Sequence, residues 1–128
     1  MNTKLKIISA KHLLPLCIYQ LGISFYGLMM FCAGLFNNKA SKLRVGQSEV
    51  FKLLRENADP AKQYVWFHAA SLGEFEQGRP VIEQLKKENP ETNILLTFFS
   101  PSGYEIRKNY TGADIICYLP LDTPRNAK

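Results

Sequence analysis

The most prominent feature of the sequence is one long apolar segment near its start. Residues Leu13–Phe36 read LLPLCIYQLGISFYGLMMFCAGLF and include no Asp, Glu, Lys or Arg. A helix of that length would extend roughly 36 Å, which is enough to cross the hydrocarbon core of a bilayer. Residues 1–36 are therefore predicted to form a basic flank and a membrane-anchor helix. The polar and glycine residues within the segment leave a shallow or tilted insertion open.

Two other structures produce a similar pattern, namely a cleaved signal peptide and a buried helix of a soluble core. A signal peptide has a shorter apolar region that ends at a small-x-small cleavage site. This segment is longer, and Asn37, Asn38 and Lys39 follow it directly. The pattern therefore favours the membrane anchor over both alternatives.

A polar connector, residues 37–62, follows the apolar segment and contains a short amphipathic stretch. Val50, Phe51 and Leu54 recur at helical spacing, and charged residues occupy neighbouring positions. This arrangement predicts a surface helix. Residues 57–60 (NADP) are typical of a helix end.

Beyond residue 60 the pattern changes to short apolar runs that are rich in aromatic and β-branched residues. Three runs are strand candidates: residues 64–69 (YVWFHA), 93–99 (NILLTFF) and 114–119 (DIICYL). Near-continuous apolar runs of this length suit a parallel sheet that is covered on both faces.

Helical segments are predicted between these runs. The first has an apolar face at helical spacing, made by Gly78, Val81, Ile82 and Leu85. Glu83 and Lys87 are spaced for an i,i+4 ion pair on its other face. Ser100 and Pro101 are typical N-cap and first-turn residues of a second, shorter helix.

The predicted order β-α-β-α-β defines an α/β fold. Right-handed crossovers would make residues 63–128 half of a doubly wound, Rossmann-like sheet. Because three strands do not complete such a sheet, we expect the chain to be the N-terminal portion of a larger protein. A complete, small three-stranded domain is the alternative.

The net charge and its distribution indicate which kind of partner the chain binds. The net charge is +5, and six basic residues flank the apolar segment, three on each side: Lys4, Lys6, Lys11, Lys39, Lys42 and Arg44. Basic residues beside an apolar span meet anionic headgroups, so the charge indicates a membrane partner and no nucleic acid. The equal counts leave the orientation of the span open.

The cysteines bear on metal binding and on the compartment. Cys17, Cys32 and Cys117 have no His or Cys neighbour at the spacing that metal ligands require. We therefore predict no metal site. An odd, unpaired set agrees with a reducing compartment, which favours a cytoplasmic location for the soluble part.

The chemistry is expected in the loops at the carboxyl ends of the strands, where open parallel sheets bind ligands. The loop after the first strand contains Ser71, Gly73 and Glu74, and it lacks both common phosphate-binding spacings, G-x-G-x-x-G and G-x-x-x-x-G-K-[ST]. Glu74 is a candidate general base. Ser71 and Glu74 also fit a capping box, in which Glu74 only closes the start of a helix.

Pro80 bears on the choice between these two roles. In a helix that begins at Ser71, Pro80 would lie in the interior and cost about 3 kcal/mol. In a helix that begins near Gln77, Pro80 would lie in the first turn, where it is well tolerated. We therefore expect the helix to begin near Gln77 and Glu74 to lie in the loop, although the residues alone leave both roles open.

Three motifs in this order carry a resemblance to a known family. The segments WFHAASLGE, followed by Pro80, then NPETNILLTFFSPSGYE and YLPLDTP resemble the N-terminal domain of the 3-deoxy-D-manno-octulosonic acid (Kdo) transferases of lipopolysaccharide biosynthesis. The resemblance implies the Rossmann-like N-terminal half of a GT-B glycosyltransferase, in which this half binds the acceptor. It also implies inverting transfer of Kdo from CMP-Kdo to a lipid A precursor, lipid IVA, at the cytoplasmic side of the bacterial inner membrane, with no cofactor.

The resemblance also implies roles for individual residues. It assigns Glu74 as the general base, and it places Ser71, Gly73, Ser100, Ser102 and Gly103 in the acceptor-binding loops, with simple helix capping as the alternative for Ser100. Arg79 is close enough to Glu74 in the sequence to hold its charge or to contact an anionic lipid, and a solvated surface position is the alternative. His68 is expected to be a core or supporting residue, because it lies within a predicted strand. The resemblance implies that residues 1–128 do not include the donor-binding half, so this chain alone is expected not to turn over. A non-catalytic, membrane-tethered Rossmann-like module that presents its loops to a protein is the alternative.

Overall fold

The computed structural model of the protein describes residues 10–126. Lys4 and Lys6 lie outside the described residues, as does the side chain of Lys11. The elements in chain order are α1 (Ala10–Phe36), α2 (Asn38–Asn57), β1 (Tyr64–Ala69), α3 (Leu72–Glu88), β2 (Asn93–Phe98), α4 (Pro101–Arg107) and β3 (Ile115–Tyr118). This is a mixed α/β fold that is preceded by an apolar helix, as the sequence predicts.

The three strands form one parallel sheet in the order β1-β2-β3. Each predicted run contains one strand, but β2 ends one residue early and β3 is shorter at both ends. All three strands therefore end at the same edge, so the loops that follow them gather there.

One face of the sheet is covered by α3. Phe75 and Ile82 of this helix are buried against a cluster contributed by β1 and β2: Ala69, Ile94, Leu96 and Phe98. Burying a side chain of this size contributes roughly 1.5–3 kcal/mol, so these two residues fix the position of α3. The predicted apolar face was partly wrong, because Val81 is exposed. Glu83 pairs with Arg79, 3.6 Å away, instead of the predicted Lys87.

The opposite face is only half covered. Leu43 and Val50 of α2 pack on Cys117 and Tyr118 of β3, whereas Trp66 of β1 is 62% exposed. The prediction that both faces of the sheet are covered is therefore confirmed at β2 and β3 and wrong at β1. The amphipathic helix is also longer than expected, and its predicted apolar residue Phe51 is exposed.

Helices α1 and α2 pack against each other as a hairpin, and Asn37 is the one residue between them. The Asn37 side chain accepts a hydrogen bond from the Lys39 N–H at 2.8 Å, which caps α2. By length and composition, Leu13–Phe36 is apolar enough to cross a membrane, with a mean hydropathy of 1.6. None of these residues is buried among the residues that the structure describes, which argues against the buried-helix alternative.

Asp114 links β2 and α3 at the end of the sheet where the strands begin, opposite the loops that follow them. Its Oδ2 accepts hydrogen bonds from the Ile94 N–H at 2.7 Å and from Lys86 Nζ at 2.9 Å. Partial burial raises the pKa of Asp114, but these two donors outweigh it, so the net shift is downward. A lowered folded-state pKa means that the stabilisation is present above the unfolded pKa, near 4, and is lost as the pH falls below it.

Asp114→Asn is therefore expected to lower the free energy of unfolding at pH 7 by about 1 kcal/mol, since a partly exposed charged acceptor is lost. Urea unfolding followed by the fluorescence of the single tryptophan, Trp66, measures this. The difference from wild type should shrink between pH 5 and pH 3. Glu91→Gln, at an exposed turn position, is the control and should show little change. A constant difference across that pH range would contradict the assignment.

Candidate active site

The loops at the carboxyl ends of the strands touch one another through their backbones. The Ser100 N–H donates to the Ala70 carbonyl at 2.9 Å, and the Leu119 N–H donates to the Phe98 carbonyl at 2.8 Å. The loop after β1, the loop after β2 and the loop after β3 are therefore contiguous. We call this surface the loop edge.

Ser71 and Glu74 form a reciprocal cap at the start of α3. The Ser71 hydroxyl accepts from the Glu74 N–H at 3.3 Å, and Glu74 Oε2 accepts from the Ala70 N–H at 2.6 Å. The second bond reaches the residue before the N-cap, which is one position earlier than in the usual capping box. Glu74 is thus held by the backbone at an exposed position of the loop edge.

The prediction that α3 begins near Gln77 was wrong. The helix begins at Leu72 and continues through Pro80 to Glu88. Pro80 removes one backbone hydrogen bond, but Phe75 before it and Ile82 after it are both buried against the sheet. Their combined burial offsets a cost of about 3 kcal/mol.

The loop after β2 contributes two hydroxyl groups and one buried glycine. Ser100 is the N-cap of α4 without a side-chain capping bond, and its hydroxyl instead lies 2.7 Å from that of Ser102. A Cβ on Gly103 would lie 2.6 Å from Phe98 Cδ1 and 3.3 Å from the backbone nitrogen of Leu72. Gly103 therefore allows α4 to approach the start of α3 closely.

Arg79 lies away from Glu74. It forms ion pairs with Glu76 at 3.5 Å and with Glu83 at 3.6 Å, and Glu76 also binds Arg107. Five residues along a helix correspond to a rotation of roughly 140°, so Arg79 and Glu74 face different directions. The expectation that Arg79 holds the charge of Glu74 is not met in this arrangement.

His68 lies on the exposed face of β1 and not in the core. Its Nδ1 is 3.0 Å from the Thr97 hydroxyl, which also accepts from Trp66 Nε1 at 2.9 Å. Thr97 itself is buried. Sequence reasoning missed this Trp66–Thr97–His68 group because Thr97 is a polar residue inside an apolar run.

A cavity of about 330 Å³ lies between α2, α4 and β3, and its lining includes Gly46, Tyr104 and Tyr118 but not Glu74. Burial raises the pKa of Tyr118 to about 12, so this phenol stays protonated at neutral pH. Among residues 10–126, no group of three or more His, Cys, Asp or Glu side chains is placed to hold a metal ion.

Comparison with known proteins places these features in a family. The profile described as "3-Deoxy-D-manno-octulosonic-acid transferase (kdotransferase)" matches residues 42–128. The 3-deoxy-D-manno-octulosonic acid transferase of Haemophilus influenzae is 33% identical over 98 residues, which cover 76% of this chain and 23% of the relative. That of Aquifex aeolicus is 39% identical over 85 residues, which cover 64% of this chain and 23% of the relative.

The profile match covers most of α2, the sheet and the loop edge that contains Glu74. The chain spans about a quarter of the length of the curated relatives it matches. No solved structure matches it. Since the profile covers more than half of the sequence, this chain belongs to the 3-deoxy-D-manno-octulosonic-acid transferase family.

Proposed function

We propose that the chain is the acceptor-binding part of an inverting glycosyltransferase that moves Kdo from CMP-Kdo to lipid IVA, with Glu74 as the general base. Family membership supports the type of reaction. The observation that carries the assignment of the base is the bond from the Ala70 N–H to Glu74 Oε2, which holds an exposed carboxylate at the loop edge.

The capping bond does not compete with this chemistry. A carboxylate can accept about four hydrogen bonds, and the bond from Ala70 takes one of them. Fixing the side chain also restricts the directions in which the carboxylate can point, which favours a base that must meet one hydroxyl group. Glu74 therefore serves as both cap and base.

The proposed reaction needs one proton acceptor. The acceptor hydroxyl oxygen bonds to the anomeric carbon of Kdo while the bond from that carbon to the CMP phosphate oxygen breaks. Glu74 takes the hydroxyl proton, which is the usual role of a positioned carboxylate in such a step. CMP leaves as a phosphate anion that needs no metal ion in this scheme.

Acceptor contacts are proposed for the exposed or half-exposed residues of the loop edge: Ser71, Gly73, Ser100 and Ser102. Arg79 and Gly103 are left out of the proposed contacts. The first is paired with two carboxylates, and the second is buried under Phe98.

The wider architecture follows from the parallel sheet. Three parallel strands with crossover helices are what the first half of a Rossmann-like domain contains, so we propose the N-terminal domain of a GT-B enzyme. The apolar α1 supports a place at the bacterial inner membrane, and the unpaired cysteines support the cytoplasmic side.

Transfer of radiolabelled Kdo from CMP-Kdo to lipid IVA by the full-length gene product tests this function. We expect transfer by that product and none by residues 1–128 alone, because the relatives are about four times longer than the aligned part. A full-length product that binds the membrane and folds but transfers no Kdo would favour the alternative, a non-catalytic module that presents the loop edge to a protein.

A further inference from the structure

We propose that α1 does not cross the membrane but lies along its surface, with one side on the loop edge and the other in the lipid. The inference rests on the membrane association in the proposed function, and it adds the topology of the helix. The partner is a bilayer that contains anionic phospholipids.

The side of α1 that faces the protein lies close to the loop edge at three positions. The Tyr19 hydroxyl donates to the Asp122 carboxylate. The rings of Tyr26 and Phe99 lie 6.1 Å apart, within the usual range for aromatic pairs. A Cβ on Gly27 would lie 3.4 Å from Leu121 Cδ2, which is ordinary contact.

These contacts lie in the middle of the apolar segment. At 1.5 Å per residue, positions 19–27 are roughly 9–21 Å from its start at Leu13. If α1 crossed the bilayer, the loops that hold Phe99 and Asp122 would lie within the hydrocarbon. Irregular backbone and a carboxylate exposed to lipid are strongly disfavoured there. The observed contacts and a membrane crossing therefore exclude each other.

The other side of α1 is a continuous apolar surface. Its exposed residues recur at helical spacing: Leu14, Ile18, Leu21, Phe25, Leu28 and Leu35. A helix that is apolar all round is normally buried or in lipid. Protein contacts on one side and acyl chains on the other meet that requirement without a crossing, as in monotopic proteins.

Cationic side chains lie where this surface meets α2. The Arg44 guanidinium is 4.9 Å from the Phe31 ring, and Lys39 is exposed at the start of α2. A cation beside an apolar side chain fits the boundary between headgroups and acyl chains. Each such charge near the surface favours anionic lipid.

The position of α1 determines how a lipid acceptor can reach Glu74. Phe99, which contacts α1, is followed by Ser100, and the Ser100 N–H binds the carbonyl of Ala70 beside Glu74. A helix at the membrane surface therefore places the loop edge next to the headgroups. A lipid acceptor would then reach Glu74 without leaving the bilayer.

Depth measurements distinguish the two topologies. Single tryptophans at Leu14→Trp, Phe25→Trp and Leu35→Trp, in a Trp66→Phe background, are quenched by brominated lipids in vesicles of phosphatidylethanolamine and phosphatidylglycerol. We expect one shallow depth for all three positions, within about 5–10 Å of the headgroup boundary. A Phe25 position that is about 15 Å deeper than the other two would show a crossing and overturn the proposal.

Cross-linking tests the contact itself in the same vesicles. In a Cys17→Ser, Cys32→Ser background, Gly27→Cys with Leu121→Cys should form a disulfide upon mild oxidation. Phe25→Cys with Leu121→Cys, on the opposite side of α1, is the matched control and should not. No cross-link for the first pair in a variant with a normal circular dichroism spectrum would overturn the proposal.

Neither the depth measurement nor the cross-linking measures Kdo transfer. The proposed topology can therefore be wrong while the proposed enzyme activity is right, and the activity can be wrong while the topology is right.

Discussion

Glu74→Gln is expected to lower Kdo transfer by the full-length gene product by about 10²–10⁴-fold while the fold keeps nearly wild-type stability. The glutamine amide oxygen can still accept the Ala70 N–H, and glutamine also serves in capping boxes. What the variant loses is the ability to take a proton. Steady-state rates with CMP-Kdo and lipid IVA, together with urea unfolding, measure the two effects separately.

Two further variants make this test specific. Glu74→Ala removes the capping bond as well as the base, so it should lose about 0.5–2 kcal/mol of stability yet be no less active than Glu74→Gln. Glu88→Gln makes the same change of charge at the far end of α3 and should transfer Kdo normally. If Glu74→Gln retained near-normal transfer, Glu74 would be a cap only, and the proposed mechanism would be wrong.

The arrangement of strands and helices could be predicted from the sequence because each apolar run is short, bounded by turns and rich in aromatic or β-branched residues. The run from Tyr64 to Ala69 is β1 without any shift. The exposure of Trp66 could not be predicted in this way. An apolar run indicates a buried strand, but it does not show which part of a sheet its neighbours leave uncovered.

The start of α3 shows where local rules compete. The cost of Pro80 in a helix interior favours a start near Gln77, whereas Phe75 can reach the sheet only if the helix begins before it. The burial of Phe75 and Ile82 outweighs that cost. Capping and catalysis do not exclude each other at Glu74, because one carboxylate has enough lone pairs for both.

The position of α1 depends on contacts that no local pattern contains. Its length and lack of charge predict a helix in lipid, and protein leaves residues 13–36 unburied. The bond from Tyr19 to Asp122 joins residues 103 positions apart, so only the folded chain reveals that the middle of the helix rests on the loop edge. Length and hydropathy alone do not distinguish a crossing helix from a surface helix.

Gly103→Ala is expected to destabilise the protein by about 1–3 kcal/mol, because the new methyl group would meet Phe98 in a close-packed region. The gain in helix propensity, about 1 kcal/mol, offsets only part of this cost. The same methyl group would also press on the backbone of Leu72, in the first turn of α3 beside Glu74. Because a shift of about 1 Å in a positioned group can cost about 10²-fold in rate, transfer should fall more than stability alone explains.

Gly78→Ala is the matched control, since it is the same substitution in a neighbouring helix, and the new Cβ would have no atom within 4 Å apart from the backbone of its own helix and its chain neighbours. It should stabilise the protein by about 0.5–1 kcal/mol and leave transfer unchanged. Urea unfolding and steady-state rates of the two variants separate helix propensity from packing. A stable, fully active Gly103→Ala variant would mean that α4 does not position the start of α3, and Glu74 would then owe its orientation to the bond from the Ala70 N–H, the Ser71 cap and the burial of Phe75.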